Sequence, residues 1–164
     1  MNAIEAGTIL PAQDTQSFEA EYQQASRAAF LLARQLGCST EEALDAVQDA
    51  AERAWRYRAS CRGPFRPWFL GIVYRTATKP RFRWLPLPSS WRSGTVDLPL
   101  GLDPDLLVAL RKLPSRQRAA LWLRYGEDLT SADVARVIQA SEAATRQLLS
   151  RARTTLRKEL EHGQ

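Results

Sequence analysis

The sequence predicts an all-α protein built from two small helical domains that are joined by a flexible, proline-rich linker. Alanine, leucine, arginine and glutamine dominate, and the apolar residues recur at helical spacing instead of alternating. Between residues 81 and 103 this periodicity stops, and proline, serine and glycine become frequent. The 164 residues, of which 45% are hydrophobic, leave room for one ordinary globular domain or two small ones.

The first domain is predicted at residues 17–80, after a flexible leader of residues 1–16. Its first helix runs through "SFEAEYQQASRAAFLLARQLG", with Ser17 as the N-cap. The second begins after Ser39, which has the capping-box spacing to Glu42. The third covers "FRPWFLGIVYRTAT", where a proline is tolerated only in the first turn.

The second helix is amphipathic in an unusual way, because the face opposite its apolar line is mostly acidic. The apolar line contains Ala43, Val47, Ala50, Ala51, Ala54 and Trp55. The opposite line contains Asp45, Gln48, Asp49 and Glu52.

The second domain is predicted at residues 104–164 and is also helical. Its candidate helices are Asp105–Lys112, Ser115–Tyr125, Ser131–Ile138 and Glu142–Leu160. A short turn at Gln139-Ala140-Ser141 separates the last two, and Ser141 can cap the final helix. This is the geometry of a helix-turn-helix motif, whose second helix enters the major groove of DNA. The alternative is a surface helix of an ordinary bundle, with arginines that are merely solvated.

The final helix has a narrow apolar stripe and a cationic outer face. At about 100° per residue, the stripe contains Thr145, Leu148, Leu149, Ala152 and Leu156. The other positions carry Arg146, Gln147, Ser150, Arg151, Thr154, Arg157 and Lys158, with Arg153 at the border.

The charge of the chain is unevenly distributed. Residues 1–60 carry nine acids and five bases, a net of −4, whereas residues 61–92 carry seven bases and no acid, a net of +7. Residues 93–164 carry eleven bases and nine acids, a net of +2. The middle segment is also rich in aromatic residues, and cations with aromatic faces suit unpaired nucleic acid. Trp68, Phe69 and Ile72 are nevertheless interpreted as core residues.

Several function classes are not expected. No run approaches the roughly 18 apolar residues of a membrane span, and the N-terminus lacks a secretory signal. We therefore expect a cytoplasmic protein, nucleoid-associated if it binds DNA. Cys38, Cys61 and His162 make no set of metal ligands, and no nucleophile–base pair or phosphate loop is apparent. The sequence predicts neither an enzyme nor a cofactor.

Three segments in order carry a family resemblance: "DAVQDAAERAW", then "FRPWFLGIV", then "LPSRQRAALWLRYGEDLTSADVARVIQASEAATRQLLSRARTTLR". Together they resemble the extracytoplasmic-function (group IV) sigma factors of the sigma-70 family, over nearly everything from Phe18 to Leu160. The resemblance implies a region 2-like bundle and a region 4-like helix-turn-helix domain. It implies a protein that binds RNA polymerase core, through the β′ clamp helices and the β flap, and directs initiation at specific promoters. It also suggests an anti-sigma factor as a partner.

The resemblance assigns roles to three groups of residues. The polymerase-binding residues would be Asp45, Gln48, Asp49 and Arg53. Those that read and melt the promoter −10 element would be Arg62, Phe65, Arg66, Trp68, Arg75 and Lys79. Those that bind the −35 element would be Glu142, Ala143, Arg146, Gln147, Ser150, Arg151 and Arg153.

This sequence departs from the family pattern at several places. Arg75 and Lys79 stand where the family usually has asparagine and often aspartate. Ala51 replaces a bulky apolar residue, and Leu148 replaces a frequent arginine. Three other hypotheses therefore stay open: a sigma-like regulator that does not melt promoters, a polymerase-independent helix-turn-helix regulator, and a helical adaptor for an acidic protein.

Overall fold

A computed structural model describes residues 12–79 and 102–163, with side chains from residue 14 onward; most of the predicted leader and linker lies outside these ranges. The regular structure in the described part is entirely helical, so the prediction of an all-α fold is confirmed. The first half contains α1 (Ala12–Gln35), α2 (Thr40–Arg56) and α3 (Phe65–Ala77), with a short 3-10 turn at Arg58–Ser60. The second half contains α4 (Pro104–Lys112), α5 (Ser115–Leu121), α6 (Ser131–Ile138) and α7 (Glu142–His162).

The start of α1 differs from its prediction. The helix begins at Ala12, within the predicted leader, so Ser17 lies inside the helix and is not its N-cap. The residues between Ala12 and Ser17 include no glycine or proline that would interrupt a helix. Asp14 lies in the first turn, where its negative charge interacts favourably with the positive end of the helix dipole and stabilises the helix. The helix can therefore begin well before Ser17.

The capping box at the start of α2 is confirmed. The Ser39 hydroxyl accepts a hydrogen bond from the Glu42 backbone N–H at 3.1 Å. In return, the Ser39 backbone N–H donates to the Glu42 carboxylate at 2.7 Å. The box fixes where α2 begins, and hence which of its side chains face outward.

Small residues let the first three helices pack closely. Ala29, Ala43 and Ala50 are fully buried where α1 and α2 meet the core. Phe69 of α3 is fully buried and stacks on Phe65 with ring centroids 5.4 Å apart. Phe69 and Ile72 are core residues, as predicted, whereas Trp68 is only half-buried.

The helix-turn-helix pair forms as expected. Between α6 and α7, Gln139 has φ +55° and ψ +48°, the left-handed conformation, and its neighbour Ala140 donates a backbone hydrogen bond to Ala135 O at 3.0 Å. The Ser141 hydroxyl caps α7 by accepting from the Ala144 N–H at 3.1 Å. The predicted apolar stripe is buried at Thr145, Leu149 and Ala152 and half-buried at Leu148 and Leu156.

One predicted helix changes its geometry before it ends. The segment predicted as a single helix at Ser115–Tyr125 is α-helical only to Leu121, and Trp122–Gly126 forms a π-helical turn. The Glu127 N–H donates to Trp122 O at 3.0 Å, five residues back, which closes this wider turn.

The two halves of the molecule pack against each other. Helix α3 lies against α6, and α1 lies against α5. A single cluster of buried apolar residues runs through both halves, from Leu32 and Leu70 to Val137 and Leu149. The described part of the chain is therefore one packed body.

Candidate functional site: one acidic face and two cationic surfaces

The acidic face lies on the side of α2 that points away from the core. Asp45, Gln48 and Glu52 are exposed there, and Asp49 is half-buried. At about 100° per residue, these four positions occupy an arc of roughly 100° on the helix. The exposed carboxylates of Asp45 and Glu52 can bind a basic surface, whereas Asp49 is already partly removed from water by this chain.

Leu44 lies beside the acidic face, and the sequence prediction did not include it. Its side chain is 57% exposed, one turn of α2 before Gln48. A large apolar side chain next to acids is typical of a protein contact, because its burial against a partner adds affinity that charges alone give weakly. The signal was present in the sequence: a leucine at the edge of the polar line of an amphipathic helix.

The first cationic surface, which we call the α3 groove, lies between the end of α2 and the outer side of α3. It has a volume of about 350 Å³ and is lined by Arg53, Tyr57, Ser60, Trp68, Ile72, Arg75, Thr76 and Lys79. Three of these are cations, and none is an acid. A groove of this chemistry can hold a phosphate backbone against Arg75 and Lys79, with Trp68 and the exposed Tyr57 offering aromatic surface to a base.

The structure brings some of the predicted −10 residues together and separates others. Trp68, Arg75 and Lys79 line the α3 groove, whereas the exposed Arg62 lies in the loop before α3. Phe65 packs edge-on against Phe18, with ring centroids 5.5 Å apart, so it belongs to an aromatic cluster.

Arg66 is also outside the α3 groove, because it forms an ion pair with Glu127 of the second half. The Glu127 side chain is only 11% exposed, so this pair is partly shielded from water. The Arg66 side chain is itself 43% exposed while it is paired.

Arg53 occupies a different place from the other predicted polymerase-binding residues. It lines the α3 groove with Arg75 and Lys79, one turn beyond Asp49 on α2. The family resemblance grouped Arg53 with the acids, and the sequence could not show that its side chain lies near α3, because that proximity depends on tertiary packing. Tyr57 and Ser60 were missed as groove residues for the same reason.

A second hollow on the first half contains a thiol. It has a volume of about 480 Å³, and Phe18, Glu21, Arg56, Cys61 and Phe65 are among its lining residues. Burial raises the pKa of the Cys61 thiol, and the nearby Glu21 carboxylate raises it further. The thiol is therefore a poorer nucleophile than an ordinary cysteine at neutral pH.

The second cationic surface is the outer face of α7. All seven residues that were predicted to bind the −35 element are exposed or half-exposed there: Glu142, Ala143, Arg146, Gln147, Ser150, Arg151 and Arg153. In the first turns, the Arg146 guanidinium is paired with the Glu142 carboxylate at 2.5 Å. Further along, Arg153 donates to the Tyr125 hydroxyl at 3.1 Å. Arg151 and the polar residues between these pairs face solvent.

The described ranges contain neither a candidate metal site nor a candidate membrane-spanning helix. No three His, Cys, Asp or Glu side chains within residues 14–79 and 102–163 are grouped so that they could hold a metal ion. Among the helices of the same ranges, none is both long and apolar enough to cross a membrane.

The fold and these surfaces define a helical protein with a helix-turn-helix motif in its second half, and comparisons with known proteins agree. Residues 105–156 match the family model described as "Sigma-70, region 4". A relative from Xanthomonas campestris pv. campestris, "Probable RNA polymerase sigma factor RfaY", is 31% identical over 133 residues, which cover 71% of this chain and 33% of the relative. The second half of the chain thus resembles region 4 of sigma-70 factors, and the chain, which spans about a third of that relative's length, is similar to an RNA polymerase sigma factor.

Two solved structures share the fold over most of the chain. The sigma factor RpoE of Bartonella quintana, in complex with the anti-sigma factor NepR, has a TM-score of 0.69 at 23% identity and covers 89% of this chain and 98% of its own. CnrH, in complex with the cytosolic domain of CnrY, has a TM-score of 0.67 at 22% identity, with 90% of each chain covered. At these identities the likeness shows the fold, so the prediction of two sigma-type helical domains is confirmed.

Proposed function

We propose that the chain is an extracytoplasmic-function sigma factor that binds RNA polymerase core and directs it to promoters through their −10 and −35 elements. The observation that carries this proposal is the exposed cationic face of α7 within a segment that matches sigma-70 region 4. The mechanism consists of binding steps alone and needs no cofactor. The proposed location of the protein is the cytoplasm, at the nucleoid.

The acidic face of α2 is the surface proposed to bind polymerase. Asp45, Gln48 and Asp49 would contact the β′ clamp helices, and Leu44 would add an apolar anchor. Opposite charges mainly accelerate and orient this encounter, whereas burial of Leu44 supplies affinity that salt does not screen. The β flap is proposed as a contact of the second half.

The α3 groove is proposed to hold the −10 region. Its cations would bind phosphates of the separated strand, with Trp68 providing a stacking surface. We assign Arg53 to this role as well, because its side chain lines the groove with Arg75 and Lys79. Arg62, from the loop before α3, would approach the same DNA.

Helix α7 is proposed to bind the −35 element. Its N-terminal half carries Arg146 and Gln147, which can reach base edges, and Arg151 can reach the phosphate backbone. An anti-sigma factor as a further partner is supported by the complex of RpoE, one of the structural neighbours, with the anti-sigma factor NepR.

Run-off transcription with purified bacterial core polymerase, on the promoter of the protein's own gene, tests the proposal. The wild type is expected to yield promoter-specific transcripts, and Asp49→Arg is expected to abolish them by repelling the clamp surface. Glu19→Arg is the matched control, since Glu19 is an exposed acid on α1 of the same half. It should transcribe as the wild type does.

Three outcomes separate the proposal from its rivals. Core binding without transcripts would indicate a sigma-like regulator. Specific DNA binding without core binding, insensitive to Asp49→Arg, would indicate a polymerase-independent regulator. DNA affinity with no steep dependence on salt would indicate an adaptor that binds an acidic protein.

A second candidate function has an observation in its favour. Arg75 and Lys79 line the α3 groove, at positions where the family resemblance implies asparagine and often aspartate, and this departure is the reason to consider binding without strand opening. Permanganate reactivity of promoter thymines, with purified components, decides between the two functions. Reactive thymines near the −10 element would show melting, and unreactive ones in a stable complex would favour the regulator.

A further inference from the structure

A cavity beside α4, the π-helical turn and α7 has no role in the proposed function. Its volume is about 320 Å³, near the lower end of the range of about 300–1,000 Å³ that small-molecule sites occupy. The apolar part of its lining is Trp122 with five leucines: Leu102, Leu106, Leu110, Leu121 and Leu156. We call it the leucine cavity.

One wall of the leucine cavity is the π-helical turn at Trp122–Gly126. A Cβ atom added to Gly126 would lie 2.6 Å from Cε3 of the Trp122 ring, so the ring can lie where it does only beside a glycine. The Trp122 indole N–H is buried and has no hydrogen-bond partner within residues 14–79 and 102–163. A π-turn is rare and frequently occurs at a functional site, and a buried donor without an acceptor costs stability. Two such features in one wall indicate a ligand site more than ordinary core.

The charges around the leucine cavity favour an anion. Arg118 and Arg153 are among the lining residues, and no acid of the described part of the chain is. The Arg118 guanidinium donates to backbone carbonyl oxygens, including Gln35 O at 2.9 and 2.6 Å, and these neutral acceptors leave its charge uncompensated. Burial lowers the pKa of Arg118, an effect that an anion in the cavity would oppose and a cation would increase.

Arg153 and Tyr125 offer the anion a place to bind. Both residues line the cavity and are exposed, and the Arg153 guanidinium donates to the Tyr125 hydroxyl at 3.1 Å. A carboxylate beside them can accept from the guanidinium and from the hydroxyl while it stays partly hydrated, which keeps its desolvation cost small. The apolar lining is then left for an apolar chain.

We propose that the leucine cavity binds a free aliphatic carboxylic acid of medium chain length, with its chain between the leucines and its carboxylate on Arg153 and Tyr125. Arg153 is also one of the residues assigned to the −35 element, so the bound acid would remove one cation from the DNA-binding face of α7. This consequence rests on the proposed function, whereas binding of the acid is a property of the isolated chain. Loss of one phosphate contact lowers duplex affinity about five-fold at about 0.15 M salt.

Isothermal titration calorimetry of the full chain with sodium decanoate, below the concentration at which it forms micelles, measures the binding. One saturable site per chain is expected. Each buried methylene group strengthens binding about four-fold, so octanoate should bind roughly ten- to twenty-fold more weakly than decanoate. Octan-1-ol lacks the charge and should bind about five-fold more weakly than octanoate. Octylammonium should show no saturable binding.

Three variants locate the ligand. Arg153→Gln should weaken octanoate about five-fold and leave the affinity for octan-1-ol unchanged. Arg157→Gln is the matched control, because Arg157 is an exposed cation one turn further along α7 that does not line the cavity, and it should change neither affinity. Leu106→Trp fills the cavity and should abolish saturable binding of both ligands, with circular dichroism to check that the variant folds.

The consequence for DNA is measured separately, on a duplex from the promoter of the protein's own gene. Saturating decanoate, compared with the same concentration of sodium acetate, should lower duplex affinity about five-fold at about 0.15 M salt and make the salt slope shallower by about 0.9. The affinity of Arg153→Gln should not respond to decanoate.

The outcomes separate the cavity proposal from the proposed function. Absence of saturable decanoate binding would leave the cavity to a side chain of a protein partner and overturns the proposal. Equal affinities for octanoate and octan-1-ol, or octanoate affinities unchanged by both Arg153→Gln and Leu106→Trp, also overturn it. Binding with the expected dependence, in a chain that binds neither core polymerase nor promoter DNA, supports the cavity proposal and removes the sigma-factor proposal. Decanoate binding that leaves duplex affinity unchanged would overturn the coupling through Arg153.

Discussion

Replacing Gln139 by glycine tests how the turn of the helix-turn-helix pair is built. Gln139 has an exposed side chain and left-handed backbone, φ +55° and ψ +48°. Its N–H donates to Arg136 O at 3.4 Å, and the next N–H donates to Ala135 O at 3.0 Å, which together end α6 and set the course of α7. Glycine keeps these backbone bonds and removes only the steric cost of the Cβ.

The magnitude follows from two opposing terms. A residue with a Cβ in this conformation costs about 1–2 kcal/mol relative to the right-handed helix region. Glycine loses more conformational entropy on folding than glutamine does, and this loss offsets about 0.5–1 kcal/mol of the gain in stability. We therefore expect Gln139→Gly to raise the free energy of unfolding by about 0.5–1 kcal/mol, the difference between these two costs.

Urea unfolding followed by circular dichroism measures this change. With a slope of about 2 kcal/mol per molar urea, the middle of the usual range for small proteins, the midpoint should rise by about 0.3–0.5 M at unchanged slope. Gln24→Gly is the control, because Gln24 is an exposed glutamine inside α1, where glycine should lower stability by about 0.5–1 kcal/mol. A lower midpoint for Gln139→Gly would refute the assignment of strain to this turn.

Three further substitutions test the proposed surfaces. Leu44→Ala should weaken core polymerase binding about five-fold in an equilibrium titration, since it truncates an exposed side chain that the partner would bury, and stability should change by less than about 0.5 kcal/mol. Arg53→Ala should make the salt dependence of single-stranded DNA affinity shallower by about 0.7 in slope, because one fewer phosphate is neutralised. Glu142→Ala should release Arg146 and raise the affinity for duplex DNA, with a slope steeper by about 0.9.

Each of these predictions has a control on the same type of side chain. Val108→Ala removes an exposed apolar group of the second half and should leave core binding unchanged. Arg27→Ala removes a cation of α1 outside the α3 groove and should not alter the salt slope. Glu161→Ala should not mimic Glu142→Ala. Equal effects of test and control would mean that only general charge or stability is involved.

Local signals accounted for most of the fold. The capping box of Ser39, the turn before Ser141 and the apolar stripe of α7 depend on residues close in sequence, and each formed as predicted. Ser17 was misassigned as a cap because nothing in the preceding residues stops a helix. The π-helical turn at Trp122–Gly126 has the same apolar spacing as an α-helix, so its sequence could not reveal it.

The candidate surfaces were predictable one helix at a time, but their relations to each other were not. The outward faces of α2 and α7 follow from helical periodicity, and none of the predicted residues on α7 is buried. The place of Arg53 in the α3 groove and the pairing of Arg66 with Glu127 depend on how separate helices pack. No pattern within one helix contains that information.

The composition of the α3 groove bears on how this protein would choose its promoters. Arg53, Arg75 and Lys79 make the groove attractive to any phosphate backbone, and phosphate contacts position DNA without reading its sequence. Discrimination between promoter sequences would then depend mainly on α7, whose Arg146 and Gln147 can reach base edges. Removing a groove cation should therefore lower the affinity for all promoters by a similar factor. Gln147→Ala should instead change the order in which promoters rank by affinity. If the groove substitution changed the rank order instead, base reading would lie at α3.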